Sequence, residues 1–510
     1  MTEEKIDICM QRFDDYIAHA KLDPKQYQRD GVRWILKNEL GVLNNGLGVR
    51  GGFIADEMGL GKTIRMIGTM LCHFVERTLI VVPPVLIDQW YMQIYRTTGH
   101  KALIYHGKYK KKIDVAKLSA AKIVITTYGA LQPLGKVEPN QPFGKVEPKV
   151  DIKGNNIDLD LAPPFSKVEK VEWGRVIFDE AHHLRNSNTA IYRAAKKLKT
   201  KIRWLVSGTP VQNSKRDFYS LCAFIGLPAS YYTNPENLPC LTRAFILKRT
   251  KKQAGIILPD VVIEKHKVMW TNRHEMKLSE ELHSALPFSN VALKEGGLVA
   301  GFNSEQLTLI MRARQSCIYP QLMARCLAKL GRSGILKDYA SYREAFNCSS
   351  KLDYAVGKIL QRKGNGDGKL IFCHFREEID EIARRLVAGG MTNVATFDGR
   401  TSHSNRHDIL NSGFEALVLQ IQTGCEGLNL QENYSEIYFI SPHWNPAVEE
   451  QAIARCHRIG QTKPVFVERF EMCGFNTEEE NAENNSVTID KYVGEVQDKK
   501  RNIANEIINN

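Results

Sequence analysis

The chain has 510 residues, 43% apolar and 25% charged, with a net charge of +13. No apolar run approaches the ~20 residues that span a bilayer, and the acidic, polar start MTEEKIDICM is not a secretory signal. The eleven cysteines are odd in number and never in CxxC spacing, which argues against a disulfide framework or a zinc ribbon and for a soluble protein of a reducing compartment.

Over the first 250 residues, short apolar runs alternate with helical patterns. GGFIADE, TLIVVPP, AKIVITTY, RVIFDEAHH and IRWLVSGTP read as strands that end in polar or small residues, with helical stretches such as IRMIGTMLCHFVER between them. That alternation predicts a parallel sheet covered by helices, with ligands collected at the carboxyl ends of the strands. Residues 131–170 interrupt it. They are rich in Pro, Gly and Lys, repeat PLGKVEP as PFGKVEP, and read as an inserted loop. Residues 270–345 are mostly helical in pattern (HEMKLSEELHSAL, LTLIMRARQSCI, QLMARCLAKL). The strand–helix alternation then returns with KLIFCHF, NVATFDG, ALVLQIQTG, SEIYFISP and PVFVERF, followed by an acidic excursion at 476–486 and a final helix. The expected division is 1–266, 267–345 and 346–510.

The chemistry begins at ADEMGLGKT, residues 55–63. Gly59 and Gly61 allow a tight turn whose amides can face phosphate oxygens. Lys62 supplies charge to the outer phosphates and the Thr63 hydroxyl can bind Mg²⁺. A phosphate loop of the usual pattern has Gly where this chain has Asp56, so residues 58–63 do most of the wrapping. A second strand ends in Asp179–Glu180. One such carboxylate can hold Mg²⁺ and its neighbour can activate water, although paired acids after a strand are also common on plain surfaces. In QAIARCHRIGQ, Arg455 and Arg458 lie three apart, which predicts one helical face. They are either surface ion-pair formers or, if the two α/β domains face each other, arginines that reach the γ-phosphate.

Taken together, these motifs resemble the Swi/Snf-related ATPases of helicase superfamily two, in particular a compact subgroup found in large DNA viruses. The resemblance runs from about residue 22 to 510. YQRDGVRW resembles the adenine-reading Q motif, with Gln28 as its glutamine. DEMGLGKT is the family's own motif I, acid included. VVPPVLIDQW, VITTYGAL, DEAHHLRN and SGTPVQN follow as motifs Ia, Ib, II and III, ILKRTKKQ closes the first lobe, and IFCHF, GLNL and QAIARCHRIGQ match motifs IV, V and VI. Two departures stand out: QIQTGCEGLNL replaces the usual run before GLNL, and Ser441 stands where an acid is common.

The resemblance implies an α/β fold of two RecA-like lobes, parallel sheets flanked by helices, with a helical insertion. It implies ATP held by Gln28, Asp56, Glu57, Met58, Gly59, Leu60, Gly61, Lys62, Thr63, Gly427 and Asn429. Mg²⁺ would sit on Thr63 and Asp179, and Lys62, Asp179, Glu180, Arg455 and Arg458 would be catalytic. It also implies a duplex DNA partner gripped by its phosphates, with Pro83, Thr126, Thr127, Gln212, Asn213, Thr423, Gly424 and Trp444 as candidate contacts. Trp444 is equally readable as a core plug. The basic surplus fits a polyanion, and the run HGKYKKK is either a solvated loop or a DNA-facing one. Transcription or replication machinery are further candidate partners, and a monomeric motor suffices. Two alternatives stay open: a strand-separating DNA or RNA helicase, and a nucleic-acid-binding scaffold with weak ATPase.

Overall fold

The computed structural model describes residues 3–43, 46–132, 166–209, 214–286, 304–337, 341–402, 405–406, 408–409, 412–424, 428–475 and 487–508. The repeated GKVEP segments and the acidic stretch 476–486 lie outside them. The chain forms two compact units, one of residues 1–255 with 504–510, the other of residues 256–503.

The first unit is built on β1 (Arg50–Ile54), β2 (Thr78–Val82), β3 (Leu103–Tyr105), β4 (Ile123–Thr127), β5 (Glu172–Asp179), β6 (Lys199–Val206) and β7 (Ile246–Leu247). They form one parallel sheet in the order β3-β4-β2-β5-β6-β1-β7. A parallel sheet carries helices on both faces, so its strands read as continuous apolar runs; TLIVV is buried at all five positions. Alternate residues supply two cores. Ile54, Ile80, Ile125, Ile177 and Trp204 meet the helices Glu3–His19, Gln26–Glu39 and Lys62–Cys72 on one face. On the other, Phe53 packs on Phe218 and Phe178 on Phe224, with ring centroids 5.9 and 5.0 Å apart. β1 approaches β6 closely because Gly51 has no side chain: a Cβ there would lie 1.9 Å from the Arg203 carbonyl oxygen.

One buried ionic group ties this sheet to its helices. The Glu39 carboxylate accepts from Arg175 Nε at 2.6 Å, from Trp204 Nε1 at 2.8 Å and pairs with His73 Nδ1 at 2.6 Å. Burial pushes this carboxyl up, but Arg175 and His73 outweigh it and hold it at about 2. A depressed folded-state pKa gives stability that is present above the ordinary value of 4.5 and is lost as pH falls toward 2. Glu39→Gln strands a buried guanidinium, so it should cost about 3–5 kcal/mol. Urea unfolding at pH 7 checks the loss, and the acid dependence between those two pKa values should flatten in the variant.

The second unit contains β8 (Val261–Val268), β9 (Gly368–Cys373), β10 (Val394–Phe397), β11 (Ala416–Gln420), β12 (Tyr434–Phe439) and β13 (Val465–Met472), parallel in the order β10-β11-β9-β12-β13-β8. Residues 256–266, grouped by sequence with the first lobe, are part of this unit, because β8 pairs with β13 along its whole length. On that edge Glu264 lies opposite Glu468, and His266 Nε2 sits against both carboxylates. The helical middle (Arg273–Ser284, Ser304–Ile318, Leu327–Arg332) shares a core with one face of this sheet: Leu278, Leu282, Ala313 and Ile318 pack with Ile371 and Val418. Leu370, Phe372, Leu417 and Phe439 form the core of the other face.

Candidate active site

In the first unit β1, β6 and β5 are neighbours, so the loops that follow them emerge side by side at the carboxyl edge of the sheet. They are the GLGKT loop, SGT and the Asp179–Glu180 pair. Gly59 and Gly61 take φ of 89° and 70°, left-handed values that glycine adopts without strain. Gly61 caps the helix Lys62–Cys72, whose first amides have no intrahelical partners and present a partial positive charge. A Cβ on Gly61 would lie 2.5 Å from Gln28 Nε2, so the buried Gln28 packs directly on the loop. Lys62 Nζ donates to the carbonyls of Asp56 at 2.9 Å and Glu57 at 3.4 Å. Burial lowers its pKa, and the charges of Glu180 and Asp179 act in the opposite direction. Gly208 closes the floor: a Cβ there would meet Met58 at 3.2 Å and Lys62 Nζ at 3.6 Å.

Asp179 ends β5 with its carboxylate buried. Oδ2 accepts from Trp90 Nε1 at 2.7 Å and Oδ1 from the Glu180 amide at 3.0 Å, while Tyr128 donates to its carbonyl at 2.7 Å. Burial, and then the neighbouring Glu180 charge, raise Asp179 to about 6. Glu180 adopts φ 49°, ψ 50°, a left-handed conformation that is costly for a side chain with Cβ. That turn sets its carboxylate 3.3 Å from His182 Nδ1. His182 stacks on His183, which in turn meets the Tyr128 ring.

Asp56 is assigned to the nucleotide by sequence, but the structure uses its carboxylate elsewhere. The residue is fully buried and its oxygens pair with Arg65 and with Arg249, the latter at 2.8 and 3.3 Å. Only its carbonyl faces Lys62. The Glu57 carboxylate likewise turns to Lys251, accepting from the amide at 2.8 Å and the ammonium at 3.2 Å. Met58 and Leu60 complete the loop, Leu60 buried beneath it.

In the second unit the helix Pro446–Ile453 stops short of both arginines. Arg455 and Arg458 lie in the turns that follow, so the expected helical face does not exist. They meet GLNL instead: Arg455 Nη1 donates to the Leu428 carbonyl at 3.5 Å, and Arg458 donates to Asn429 Oδ1. Gln461 staples the turn, donating to the carbonyls of Gln431 and Tyr434, each at 3.0 Å. Gly427, Gln212 and Asn213 lie outside the described residues.

The other nucleic-acid candidates divide. Thr126 and Thr127 are buried, bonded to the Tyr105 carbonyl and to His106, so the sheet itself uses them. Pro83 is buried while Pro84 and Val85 beside it are exposed. Thr423 and Gly424 end a short helix after β11, half-buried at Thr423. Trp444 is half-buried against the core, edge-on to Tyr492 with centroids 6.1 Å apart. HGKYKKK is an exposed 3₁₀ stretch, Gly107–Lys112, with Tyr109 63% exposed.

The residues fit the groups that the motifs imply. The Asp179 and Glu180 carboxyl groups, close enough to Lys62 to act on its charge, suit a hard cation with oxygen ligands, and Thr63, next to Lys62 in the chain, brings a further hydroxyl oxygen. A glycine loop opening a helix suits a phosphate. Sequence reasoning missed three participants: Trp90 and Tyr128, which fix Asp179, and Arg249. All three sit in stretches quoted above, Trp90 in VVPPVLIDQW, Tyr128 in VITTYGAL and Arg249 in ILKRTKKQ. Nothing in local spacing joins Arg249 to a partner 193 residues away.

Two family models match the chain: the SNF2-related domain over residues 27–235 and the helicase conserved C-terminal domain over residues 350–460. The probable global transactivator of Orgyia pseudotsugata multicapsid polyhedrosis virus is 25% identical over 94% of this chain and 91% of its own length. An uncharacterized ATP-dependent helicase of Mycoplasma genitalium is 26% identical over 100% of this chain, which spans only 45% of that protein. Among solved structures, the Sulfolobus solfataricus SWI2/SNF2 ATPase core in complex with double-stranded DNA is 22% identical, covers 89% of each chain and has a TM-score of 0.39.

Proposed function

The chain belongs to the Swi/Snf-related ATPases of helicase superfamily two, with an SNF2-related domain followed by a helicase C-terminal domain, and from that premise we propose that it is a DNA-stimulated motor that hydrolyses ATP and translocates on duplex DNA. The observation that carries the reading is the meeting of four parts at one sheet edge: the GLGKT loop, Gln28 packed on it, Gly208, and the buried Asp179 with the half-buried Glu180 beside it. In this reading Gln28 recognises the base, and the loop amides with Lys62 hold the phosphates. Lys62 exchanges the carbonyls of Asp56 and Glu57 for phosphate oxygens. Thr63 and Asp179 would hold Mg²⁺, which neutralises charge on the outer phosphates. Glu180, fixed by its strained turn, takes the proton of the attacking water. Arg455 and Arg458 supply further positive charge, and Asn429 holds Arg458 ready.

The DNA partner follows from the family and from the basic surplus. Phosphate contacts that carry no sequence information suit a motor that moves along a duplex. No helix among the described residues is long and apolar enough to cross a membrane. Translocation without unwinding predicts that ATP drives displacement of a third strand from a triplex while the underlying duplex stays paired. A strand-displacement assay on a forked duplex is the control, and unwinding there would replace the translocase reading with a strand-separating one.

A further inference from the structure

The acid that opens the phosphate loop does not face the phosphate, and the partners it does have suggest what it is for. Residues 55–57 run beside residues 247–251 past the end of the β1–β7 pairing. The Ala55 amide donates to the Leu247 carbonyl at 2.8 Å, the Glu57 amide to the Arg249 carbonyl at 2.9 Å, and the Lys251 amide to the Glu57 carboxylate at 2.8 Å. The Arg249 guanidinium closes this zipper. It donates to both oxygens of Asp56, and its Nη1 donates to the Tyr27 carbonyl, next to Gln28. It also lies 5.7 Å from the Tyr27 ring centroid. Gly31, on the same helix as Gln28, makes room: a Cβ there would be 2.7 Å from Arg249 Nη2 and 2.9 Å from Arg65 Nη1.

One guanidinium therefore joins three parts of the first unit: the base-side helix, the phosphate loop, and the segment that precedes the unit's end at Gly255. The two residues that hold Lys62 by their carbonyls hold residues 247–251 by their other groups. Asp56 uses its carboxylate, and Glu57 its amide and carboxylate. A phosphate that draws Lys62 off those carbonyls acts on a backbone already fastened to 247–251.

We propose that Arg249 is a positioning residue that couples nucleotide binding at the phosphate loop to the segment 247–251, through Asp56 and the Tyr27 carbonyl. The proposal rests on the ATP-binding reading of the loop. Lysine is a poor replacement for this arginine, because its single nitrogen lacks the planar fork that spreads Nε, Nη1 and Nη2 over both Asp56 oxygens and the Tyr27 carbonyl.

Hydrogen exchange on the full chain, with and without ADP and Mg²⁺, tests it. In the wild type, nucleotide should slow exchange at 55–63 and also at 247–251, each by about tenfold or more. In Arg249→Gln, 55–63 should stay protected by nucleotide while 247–251 loses its response. Arg249→Lys keeps a cation beside Asp56, so it safeguards folding, and it should show the same loss. A purely structural role would raise exchange in 247–251 equally with and without nucleotide, leaving the difference intact, and that outcome would overturn the proposal. So would a wild type in which nucleotide protects 55–63 and leaves 247–251 unchanged. Absence of protection at 55–63 itself would instead sink the ATP-binding reading, and the coupling with it.

Discussion

Glu180→Gln should bind ATP and DNA as the wild type does and yet turn over almost no nucleotide. The substitution keeps the size and most of the hydrogen bonding of the side chain, so the strained turn at φ 49° has no reason to relax. It removes the one property the proposal needs, a carboxylate able to take a proton. General bases contribute roughly 10²–10⁴ in rate, so kcat should fall by at least the lower figure. The change also removes the second charge beside Asp179. Burial and Glu180 together hold Asp179 at about 6, so without Glu180 its pKa should fall and Asp179 should remain a competent anion. Loss of turnover therefore reports on Glu180 itself. Equilibrium binding of a fluorescent ATP analogue alongside steady-state hydrolysis separates the outcomes. Substantial remaining hydrolysis would take Glu180 out of the base role.

The second large effect is expected at Arg458. Arg458→Ala should leave nucleotide affinity close to wild type and cut kcat by at least ~10³, the range for arginines that act on phosphoryl transfer. Burial, and then the Arg455 charge, lower the Arg458 pKa, yet an arginine stays protonated at neutral pH. Its contact with Asn429 fixes the guanidinium beside GLNL, within the second unit. In the proposed role Arg458 acts on charge that develops during phosphoryl transfer, which is why kcat and not binding should respond. A variant that instead loses affinity at normal kcat would mark Arg458 as a nucleotide grip.

Much of the fold was legible because buried parallel strands leave unbroken apolar runs. Each run quoted in the sequence is a strand, and TLIVV and VIFD are almost entirely buried. β8 was missed for the opposite reason. Its EKHK centre is charged because this edge strand is little covered on either face: only His266 and Val268 are buried. The phosphate loop and acid pair were legible because their chemistry depends on residues close in sequence. Asp56 is grouped with the nucleotide because it opens the motif, and sequence gives no sign of what its carboxylate touches. Its partners, Arg65 and Arg249, come from a helix and a distant segment that only the folded sheet brings together. The spacing of Arg455 and Arg458 suggested a helical face, and the helix ends at Ile453 with no Gly or Pro to announce it. Thr126 and Thr127 were offered to DNA as loop residues, whereas β4 runs through Thr127 and its hydrogen bonds claim both hydroxyl groups.

Steady-state ATP hydrolysis should be measured without nucleic acid and with single-stranded DNA, double-stranded DNA or RNA, all at one salt concentration, because phosphate contacts are salt-dependent. A duplex-driven motor predicts strong stimulation by double-stranded DNA and little by the others. Stimulation by single strands or RNA in preference to duplex, or by none of the three, would contradict it.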